Sequence, residues 1–490
     1  MALLAIELAE IVVGRRIARI DVEGGAAPAS YFLPLALAWE DEDDARVRAL
    51  APGTLAKVRQ QANVGVLADA AADEAFCRAV VGAIGRGQEL ATARGKVRFV
   101  PTRAFAELAG DGVAALPVGR PQAQSSNTVV TLGERLFLKT YRRLREGVNP
   151  ELEVGRFLTD VARFPNCVPI AGAIEHVAAD GTATTLALLQ GYVGNQGDGW
   201  TYTLNYLERF LEGARTAAEP PLQDAHGAYL ALVHTLAVRT AELHLALARR
   251  TGDPAFDPEP IAAQDGAAWK NRVRDEAFAT LDLLAAHRDR LPPPARDEAE
   301  TLLLQRKALA ERIDACPVVT SDSIKSRYHG DYHLGQVLLA NNDFVITDFE
   351  GEPTRPFSER RSKHSPLRDV AGMLRSFNYA HAHVLAHVAQ GDGDPVKLAP
   401  LATEWEAETR RAFLSAYATT VDGRGLFATF DEARGLIELF EIEKALYELR
   451  YEIEHRPDWI RTPLAWLLAL VARAPEQRDS STPGGVHGQG

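Results

Sequence analysis

The chain has 490 residues, of which 46% are hydrophobic and 24% are charged, a composition that is ordinary for a globular protein. The length predicts two or three structural units and is sufficient for a large core. A formal net charge of −12, with no long basic stripe, excludes nucleic acids and anionic membranes as the main partners.

The cysteines and the first residues predict a cytoplasmic protein. Cys77, Cys167 and Cys316 are widely scattered, so we expect neither a disulfide framework nor a C-x-x-C metal site. The N-terminal stretch reaches Glu7 without the basic and long apolar segments of a signal peptide. Because no apolar run reaches membrane-spanning length, we expect no membrane partner.

Residues 1–95 are predicted to form a separate N-terminal unit. The apolar stretches 11–20 and 31–37 have strand character. The acidic run 40–44 is expected to be a solvated turn, and the Ala-rich stretch 68–85 is expected to be a helix.

A second unit is predicted over residues 96–200. Two apolar stretches, 129–132 and 136–139, flank a Gly-Glu turn and predict a β-hairpin. Asn149 suits the N-cap of a helix and Pro150 its first position, so a helix is expected to begin there. A further strand is expected at 183–189, ahead of a polar, glycine-rich loop.

The remaining units are a mostly helical one, residues 201–474, and a tail. A long periodic segment at 230–247 predicts a helix. A short strand pair, 337–339 and 344–346, interrupts the helices. Residues 475–490 are polar and glycine-rich, which predicts a disordered tail.

Two acidic motifs in the helical unit give the strongest functional signal. Asp331 follows His329 and Gly330, Gln336 comes five residues later, and Asp348 opens a D-F-E sequence. A kinase-type site needs an Asp that orients the attacking hydroxyl and accepts its proton, then an amide and a second Asp that hold magnesium at the ATP phosphates. Because the strand pair runs out and back between Gln336 and Asp348, both are expected to meet at one cation.

These motifs depart from the protein-kinase pattern at two positions. Gln336 stands where protein kinases have Asn, and Glu350 stands where they have Gly. Glu350 fits equally well a further group at the metal and a surface acid. A chance run of turn residues explains an isolated H-G-D sequence, but the amide and the second Asp at these spacings favour the kinase interpretation.

Lys139 and Glu153 are the candidate pair for the nucleotide phosphates. Lys139 ends a strand and Glu153 lies on the next helix, the order in which kinase-like folds place this clamp. Ser125 and Ser126, beside Gln124, are expected to lie over the phosphates, where hydroxyls and backbone amides can hold anions.

A late helical segment carries paired aromatic and charged residues. Tyr447 and Tyr451 share a helix face, and so do Glu452 and Arg456. Aromatic faces beside hydrogen-bonding groups suit a sugar. A solvated ion pair beside core tyrosines explains the same pattern equally well.

These residues resemble bacterial maltokinases, within the eukaryotic-like kinase and aminoglycoside-phosphotransferase group. The resemblance covers roughly residues 95–470. It is carried by the segments 126–128, 147–158, 195–200, 329–379 and 444–459.

The resemblance implies an α+β, bilobal protein-kinase-like fold. Residues 1–95 would be an N-terminal cap subdomain, 96–200 the N-lobe with an intermediate subdomain, and 201–474 a mostly helical C-lobe with the catalytic and sugar sites. It also implies transfer of the ATP γ-phosphate to the anomeric hydroxyl of maltose, giving maltose 1-phosphate for α-glucan and glycogen synthesis. A trehalose synthase is an implied partner.

The resemblance also implies a role for each candidate residue. Asp331 would be the base, with Gln336 and Asp348 on Mg²⁺. The nucleotide would contact residues of the second unit, namely Lys139, Glu153, Ser125, Ser126 and the hinge residues Gln190, Tyr192 and Val193. The sugar would contact His333, Tyr447, Tyr451, Glu452 and Arg456.

Two alternatives stay open at this point. A related kinase acting on glucosamine or an aminoglycoside would have a pocket richer in carboxylates. A non-catalytic nucleotide- or sugar-binding module need not keep Asp331, Gln336, Asp348 and Lys139 together.

Overall fold

The computed structural model describes residues 2–12, 14–23, 28–121, 127–216, 224–317, 322–390 and 395–473. The predicted tail at 475–490 lies outside these residues. Two antiparallel sheets precede a large helical region, so the fold is α+β as predicted.

The strands fall into two seven-stranded sheets and two short pairs. They are β1 (Ala2–Val12), β2 (Arg15–Glu23), β3 (Ala29–Phe32), β4 (Leu35–Trp39), β5 (Thr54–Gln60), β6 (Asn63–Asp69), β7 (Glu89–Thr92), β8 (Gly95–Pro101), β9 (Val118–Gly119), β10 (Thr128–Leu132), β11 (Leu136–Thr140), β12 (Arg143–Leu144), β13 (Ile170–Ala178), β14 (Ala183–Gly191), β15 (Glu259–Pro260), β16 (Ile324–Lys325), β17 (Val337–Ala340) and β18 (Asp343–Ile346).

The helices concentrate after residue 199. They are α1 (Glu40–Ala49), α2 (Glu74–Gly85), α3 (Phe105–Ala109), α4 (Pro150–Arg156), α5 (Gly199–Thr216), α6 (Gly227–Leu247), α7 (Ala263–His287), α8 (Pro293–Leu304), α9 (Arg306–Ala315), α10 (Phe357–Arg360), α11 (Leu367–Gln390), α12 (Pro395–Val421), α13 (Phe430–Ala433), α14 (Gly435–His455) and α15 (Arg461–Ala472).

The first sheet has the order β12-β3-β2-β4-β6-β5, with β1 on β2. The single strand predicted over residues 11–20 is wrong. Gly14, at φ 69°, lies in the turn between β1 and β2, because this left-handed conformation suits glycine. The acidic run at 40–44 is not a turn either. It begins α1, where carboxylates favour the positive end of the helix dipole.

The second sheet has the order β7-β8-β13-β14-β11-β10-β9. It confirms the predicted hairpin, now β10 and β11, and the strand at 183–189, now part of β14. The boundary expected at residue 95 stays a prediction; the paired strands β7 and β8 lie on either side of it.

One apolar core joins the two sheets. Helix α2 contributes Phe76, Val80 and Ile84 to it and packs on β8 and β13 of the second sheet. The predicted helix at 68–85 is shorter than expected, because Asp69 ends β6 and Asp73 caps α2 by accepting hydrogen bonds from its first amides. Strand β12 then returns to the first sheet, where Leu144 pairs with Ser30 of β3.

A second core fills the helical region around α6, α11, α12 and α14. Among the described residues, α6 is the helix that is long and apolar enough to cross a membrane by length and composition alone. The expectation that no apolar run reaches this length is therefore wrong. Val233, Leu236 and Leu243 of α6 are buried against this core, and a helix that is apolar on most of its faces suits such a position.

Candidate active site

The loop from His329 to Gln336 places Asp331 at the base of a pocket. Gly330 has a φ of 88°, a backbone conformation that glycine adopts readily and other residues rarely adopt. The chain bends sharply at this residue. The buried carboxylate of Asp369 accepts hydrogen bonds from the amides of His329 (2.7 Å) and Gly330 (2.9 Å). His244 Nε2 lies 3.2 Å from the same carboxylate, so Asp369 braces this loop from α11.

Asp331 faces a cation that the sequence motifs did not reveal. Lys444 Nζ of α14 lies 3.0 Å from Asp331 Oδ1 and 3.3 Å from Glu352 Oε1. It also lies 4.7 Å from the centre of the Tyr447 ring. Burial opposes ionisation of Asp331, but the charge of Lys444 outweighs it and lowers the pKa of this carboxyl to about 2. Asp331 is therefore a carboxylate throughout the neutral range.

The two predicted metal ligands meet at the base of the β17–β18 hairpin. Gln336 precedes β17 and Asp348 follows β18, and the amide of Thr347 donates to the carbonyl of Gln336 at 3.0 Å. Gln336 Nε2 lies 3.4 Å from Asp348 Oδ2. Asp348 has φ 63°, and this turn of the backbone brings its carboxylate toward Lys139. The hairpin thus brings the two side chains together, and their shared cation stays a prediction.

Lys139 lies at the centre of three carboxylates. Its Nζ is 2.8 Å from Glu151 Oε2, 3.1 Å from Asp348 Oδ1 and 2.8 Å from Glu350 Oε1. Burial opposes the charge of Lys139, but these carboxylates raise its pKa well above the ordinary value. Burial raises the pKa of Glu151. Carboxylate oxygens of Glu151, Asp348 and Glu350 lie within 4.8 Å of one another around the Lys139 ammonium, and carboxylate oxygens are ligands that Mg²⁺ prefers.

The prediction that Glu153 pairs with Lys139 is wrong. Glu151 is the partner, and the side chain of Glu153 contacts Arg327 and Arg361 instead. Residues two apart on a helix are about 200° apart around its axis, so the two carboxylates of α4 face opposite ways. The helix itself begins as predicted, with Asn149 as the N-cap.

The predicted hinge follows directly from the strand next to Lys139. Gln190, in β14, is buried and donates from Nε2 to Glu151 Oε1 at 3.3 Å. Tyr192 is 38% exposed, and its amide donates to the carbonyl of Arg135. Val193 continues the connection toward α5. Ser125 and Ser126 lie outside the described residues.

The predicted sugar residues divide into two groups. Tyr447 lines the pocket beside Asp331, and His333 lies in the catalytic loop, where its Nδ1 accepts from the amide of Gly335. Burial lowers the pKa of His333. The second group, Tyr451, Glu452 and Arg456, lies farther along α14.

The distance between these groups follows from the helix. Arg456 is nine residues after Tyr447, about 14 Å along the axis at 1.5 Å per residue. Tyr451 is nearer, and its ring stacks on that of Tyr447 with 6.3 Å between the ring centres. Glu452 is buried and forms an ion pair with Arg456 at 2.8 Å, and the guanidinium of Arg456 lies 5.1 Å from the Tyr451 ring centre. Only Tyr447, among the four predicted sugar residues of α14, lines the pocket with Asp331.

The sequence motifs missed three residues of this site: Lys444, Glu352 and Glu151. Lys444 is three positions before Tyr447, so the two residues share a helix face. This spacing could have indicated that Lys444 lies at the same site as Tyr447. Glu352 follows the D-F-E motif by two positions, and Glu151 precedes the chosen Glu153 by two. The sequence does not distinguish Glu151 from Glu153, or Glu350 from Glu352, because tertiary packing decides which side chain points into the site.

Comparisons with known proteins give a consistent result. No family model matches the chain. It is similar to a glucosamine kinase of Streptacidiphilus jiangxiensis, with 27% identity over 385 residues that cover 77% of this chain and 79% of the relative. A glucosamine kinase of Mycolicibacterium smegmatis is 29% identical over 348 residues, which cover 71% of this chain and 77% of the relative.

A solved structure shares the fold. It is a glucosamine kinase in complex with glucosamine, ADP and inorganic phosphate, with a TM-score of 0.66, 22% identity, and coverage of 96% of this chain and 95% of that chain. The chain therefore has the fold of a kinase of known structure. The two relatives are themselves sugar kinases. The bilobal arrangement and the cap stay predictions.

The predicted transfer of phosphate to maltose is wrong. The two relatives and the structure above are glucosamine kinases, which agrees with the alternative raised from the sequence and not with a maltokinase. The comparisons give no support to a trehalose synthase as a partner or to a role in glycogen synthesis.

Proposed function

We propose that the protein is an ATP- and Mg²⁺-dependent kinase that phosphorylates a hydroxyl of glucosamine. The observation that carries this proposal is the convergence of Gln336, Asp348 and Lys139, to which the Asp331 loop is joined by His329 Nε2, 2.9 Å from the carbonyl oxygen of Thr347. The relatives that cover 77% and 71% of the chain are glucosamine kinases. A non-catalytic module has no need of such a convergence.

The nucleotide side of the site suits a magnesium-bound triphosphate. Lys139 would bind phosphate oxygens, and Glu151 holds its ammonium in place. Asp348 and Gln336 would hold Mg²⁺, with Glu350 close enough to join them. The bound metal supplies positive charge that offsets the charge of the phosphates. Lys139 contacts both Glu350 and Asp348 in the structure, so nucleotide binding would redistribute these contacts.

The acceptor side of the site is formed by Asp331, Lys444 and Tyr447. Asp331 would accept a hydrogen bond from the sugar hydroxyl and receive its proton late in the transfer, because phosphoryl transfer depends mainly on positioning and electrostatics. A carboxylate with a pKa of about 2 is a weak base, which suits such an orienting role. The partly exposed ring of Tyr447 would offer an apolar surface to C–H groups of a sugar ring.

The pocket beside Asp331 is rich in charged groups of both signs. Its lining has four carboxylates, of Asp331, Glu352, Asp369 and Glu443, and three cationic side chains, of Arg355, Arg368 and Lys444. Arg272, 3.1 Å from Glu443, adds a fourth cation, so these charges balance. The support for an amino sugar comes from the two relatives, which are glucosamine kinases.

The proposal is tested by a panel of acceptors with ATP and Mg²⁺. Glucosamine, glucose, N-acetylglucosamine, maltose and an aminoglycoside would be supplied in turn, and the phosphorylated product would be identified by phosphorus NMR. We expect turnover with glucosamine to exceed that with glucose and N-acetylglucosamine, which lack the ammonium. The Asp331→Asn variant is the matched control for background hydrolysis. Turnover of a sugar without an amine in preference to glucosamine would refute the proposal.

A further inference from the structure

Glu153 lies on the face of α4 opposite to Glu151 and Lys139, and it forms a compact ionic cluster. Its Oε2 is 2.7 Å from Arg327 Nη1 and 2.9 Å from Arg361 Nε, and its Oε1 is 2.7 Å from Arg361 Nη2. We propose that this cluster makes Glu153 a positioning residue, which fixes α4 so that Glu151 stays on Lys139. This inference rests on the proposed kinase function.

Both arginines belong to segments that carry the active site. Arg327 is two residues before His329, at the start of the catalytic loop. Arg361 directly follows α10, and its neighbour Arg360 donates to the carbonyls of Glu350, Pro353 and Arg355 in the loop after Asp348. Glu153 therefore links α4, whose Glu151 contacts Lys139, to two loops. One loop bears Asp331, and the other follows Asp348.

Aromatic stacking reinforces the link through Arg327. Its side chain is 2% exposed, and its guanidinium lies 5.0 Å from the ring centre of Phe256. Phe256 in turn stacks on Phe157, directly after α4, at 3.9 Å and 3° between planes. Helix α4 is thus linked to Arg327 directly through Glu153 and indirectly through the Phe157–Phe256 stack.

The packing on the opposite side leaves α4 little room to move. Gly155 lies so close to β13 that an added Cβ would stand 2.5 Å from Ile170 Cγ1. The carboxylate of Glu153 is mostly buried, and its contact with Arg361 is bidentate, a geometry that gives a strong and directional ion pair. Burial opposes ionisation, but the two arginines hold the pKa of Glu153 below its ordinary value.

The consequence is that the Lys139–Glu151 pair is built before nucleotide binds. Loss of the Glu153 charge would leave two guanidinium groups facing each other and would release α4 from both loops. Because Glu151 and Glu153 share one short helix, a shift at Glu153 moves Glu151 away from Lys139. Asp369 holds the amides of His329 and Gly330 independently of Glu153, so the Asp331 loop keeps this support. The proposed effect is therefore on nucleotide binding and turnover and not on the acceptor side.

The test compares Glu153→Gln, Arg361→Gln and the double variant by calorimetric binding of ADP with Mg²⁺ and by steady-state kinetics. We expect each single variant to weaken ADP binding about tenfold and to lower kcat, with the KM of the sugar unchanged. The double variant is expected to lose less than the product of the two single effects, because the two residues act through one contact. Glu153→Asp is expected to restore part of the loss.

Glu89→Gln is the matched control, since it removes a carboxylate from the exposed Lys96 pair of the second sheet. Wild-type ADP affinity and kcat in Glu153→Gln, or a lower Tm with ADP affinity unchanged, would overturn the proposal. If Glu153→Gln fails to fold, the more exposed Arg361 still allows the measurement. ADP binding is measured without any sugar, so a wrong acceptor assignment leaves this test intact.

Discussion

Replacing Lys444 with Met removes the cation that faces Asp331 while keeping a side chain of similar length. Lys444 Nζ is 3.0 Å from the Asp331 carboxylate in a mostly buried pocket. Its positive charge is the main factor that lowers the pKa of Asp331 against the effect of burial. The His333 imidazole and the neighbouring His329 are the other groups on the catalytic loop that face Asp331. Burial lowers the pKa of His333, so it does not replace the lost charge at neutral pH.

The expected effect on Asp331 follows from the two pKa values. In the wild type the pKa is about 2, against an ordinary value of 3.8. Returning the pKa to 3.8 alone corresponds to about 2.5 kcal/mol of lost carboxylate stabilisation, at about 1.4 kcal/mol per pH unit. Burial, no longer opposed, raises the pKa further. Asp331 acts as a carboxylate, so activity is lost as the pH falls through its folded-state pKa.

The assay is kcat/KM for glucosamine between about pH 4.5 and pH 8.5, in wild type, Lys444→Met and Lys444→Arg. We expect an acid limb to enter this range in Lys444→Met and to stay below it in Lys444→Arg. The amine of the substrate titrates identically with all three proteins, so the ratio of variant to wild type isolates the enzyme group. A constant ratio across this range would refute the electrostatic coupling of Lys444 to Asp331.

Four further outcomes are expected. Asp331→Asn should lower kcat by about 10²–10⁴-fold while ADP still binds, because it removes the group that orients and deprotonates the acceptor; unchanged turnover would contradict this role. Excess EDTA should abolish activity and added Mg²⁺ should restore it, and full activity under chelation would exclude the metal assignment. Lys139→Met should weaken ADP binding at least tenfold by calorimetry, whereas unaltered affinity would place the phosphates elsewhere. Tyr447→Ala should raise the KM of the sugar more than Arg456→Ala does, since only Tyr447 lines the Asp331 pocket; an equal rise in both would extend the sugar site along α14.

The catalytic residues were predictable because their spacing is local. Asp331, Gln336 and Asp348 lie within eighteen residues, and a short hairpin fixes their relation, so counting positions is enough to bring them together. The start of α4 was predictable for the same reason, since Asn149 and Pro150 act on adjacent backbone groups.

The choice between Glu151 and Glu153 depends on long-range packing. Both lie in the first turns of α4, and only the placement of the helix on β13 decides which one reaches Lys139. Lys444 was missed because it is 113 residues from Asp331 in sequence, beyond any local pattern. The acceptor was misjudged for a related reason. The segment around Tyr447 and Tyr451 suits any sugar by its residue types, and the identity of the sugar depends on how the pocket is closed around it.

The return of β12 to the first sheet has a practical consequence for anyone who shortens this chain. Removal of the first 95 residues would strip Leu144 of its partner Ser30 and would uncover the apolar surface on which Phe76 and Val80 of α2 rest. Arg145, next to β12, donates to the carbonyl of Pro353 in the loop after the metal motif, so the damage would extend to the active centre. A shortened enzyme is therefore not obtained by removing residues 1–95. Chimeras between relatives should keep the first sheet and the strand β12 that pairs with it from the same parent.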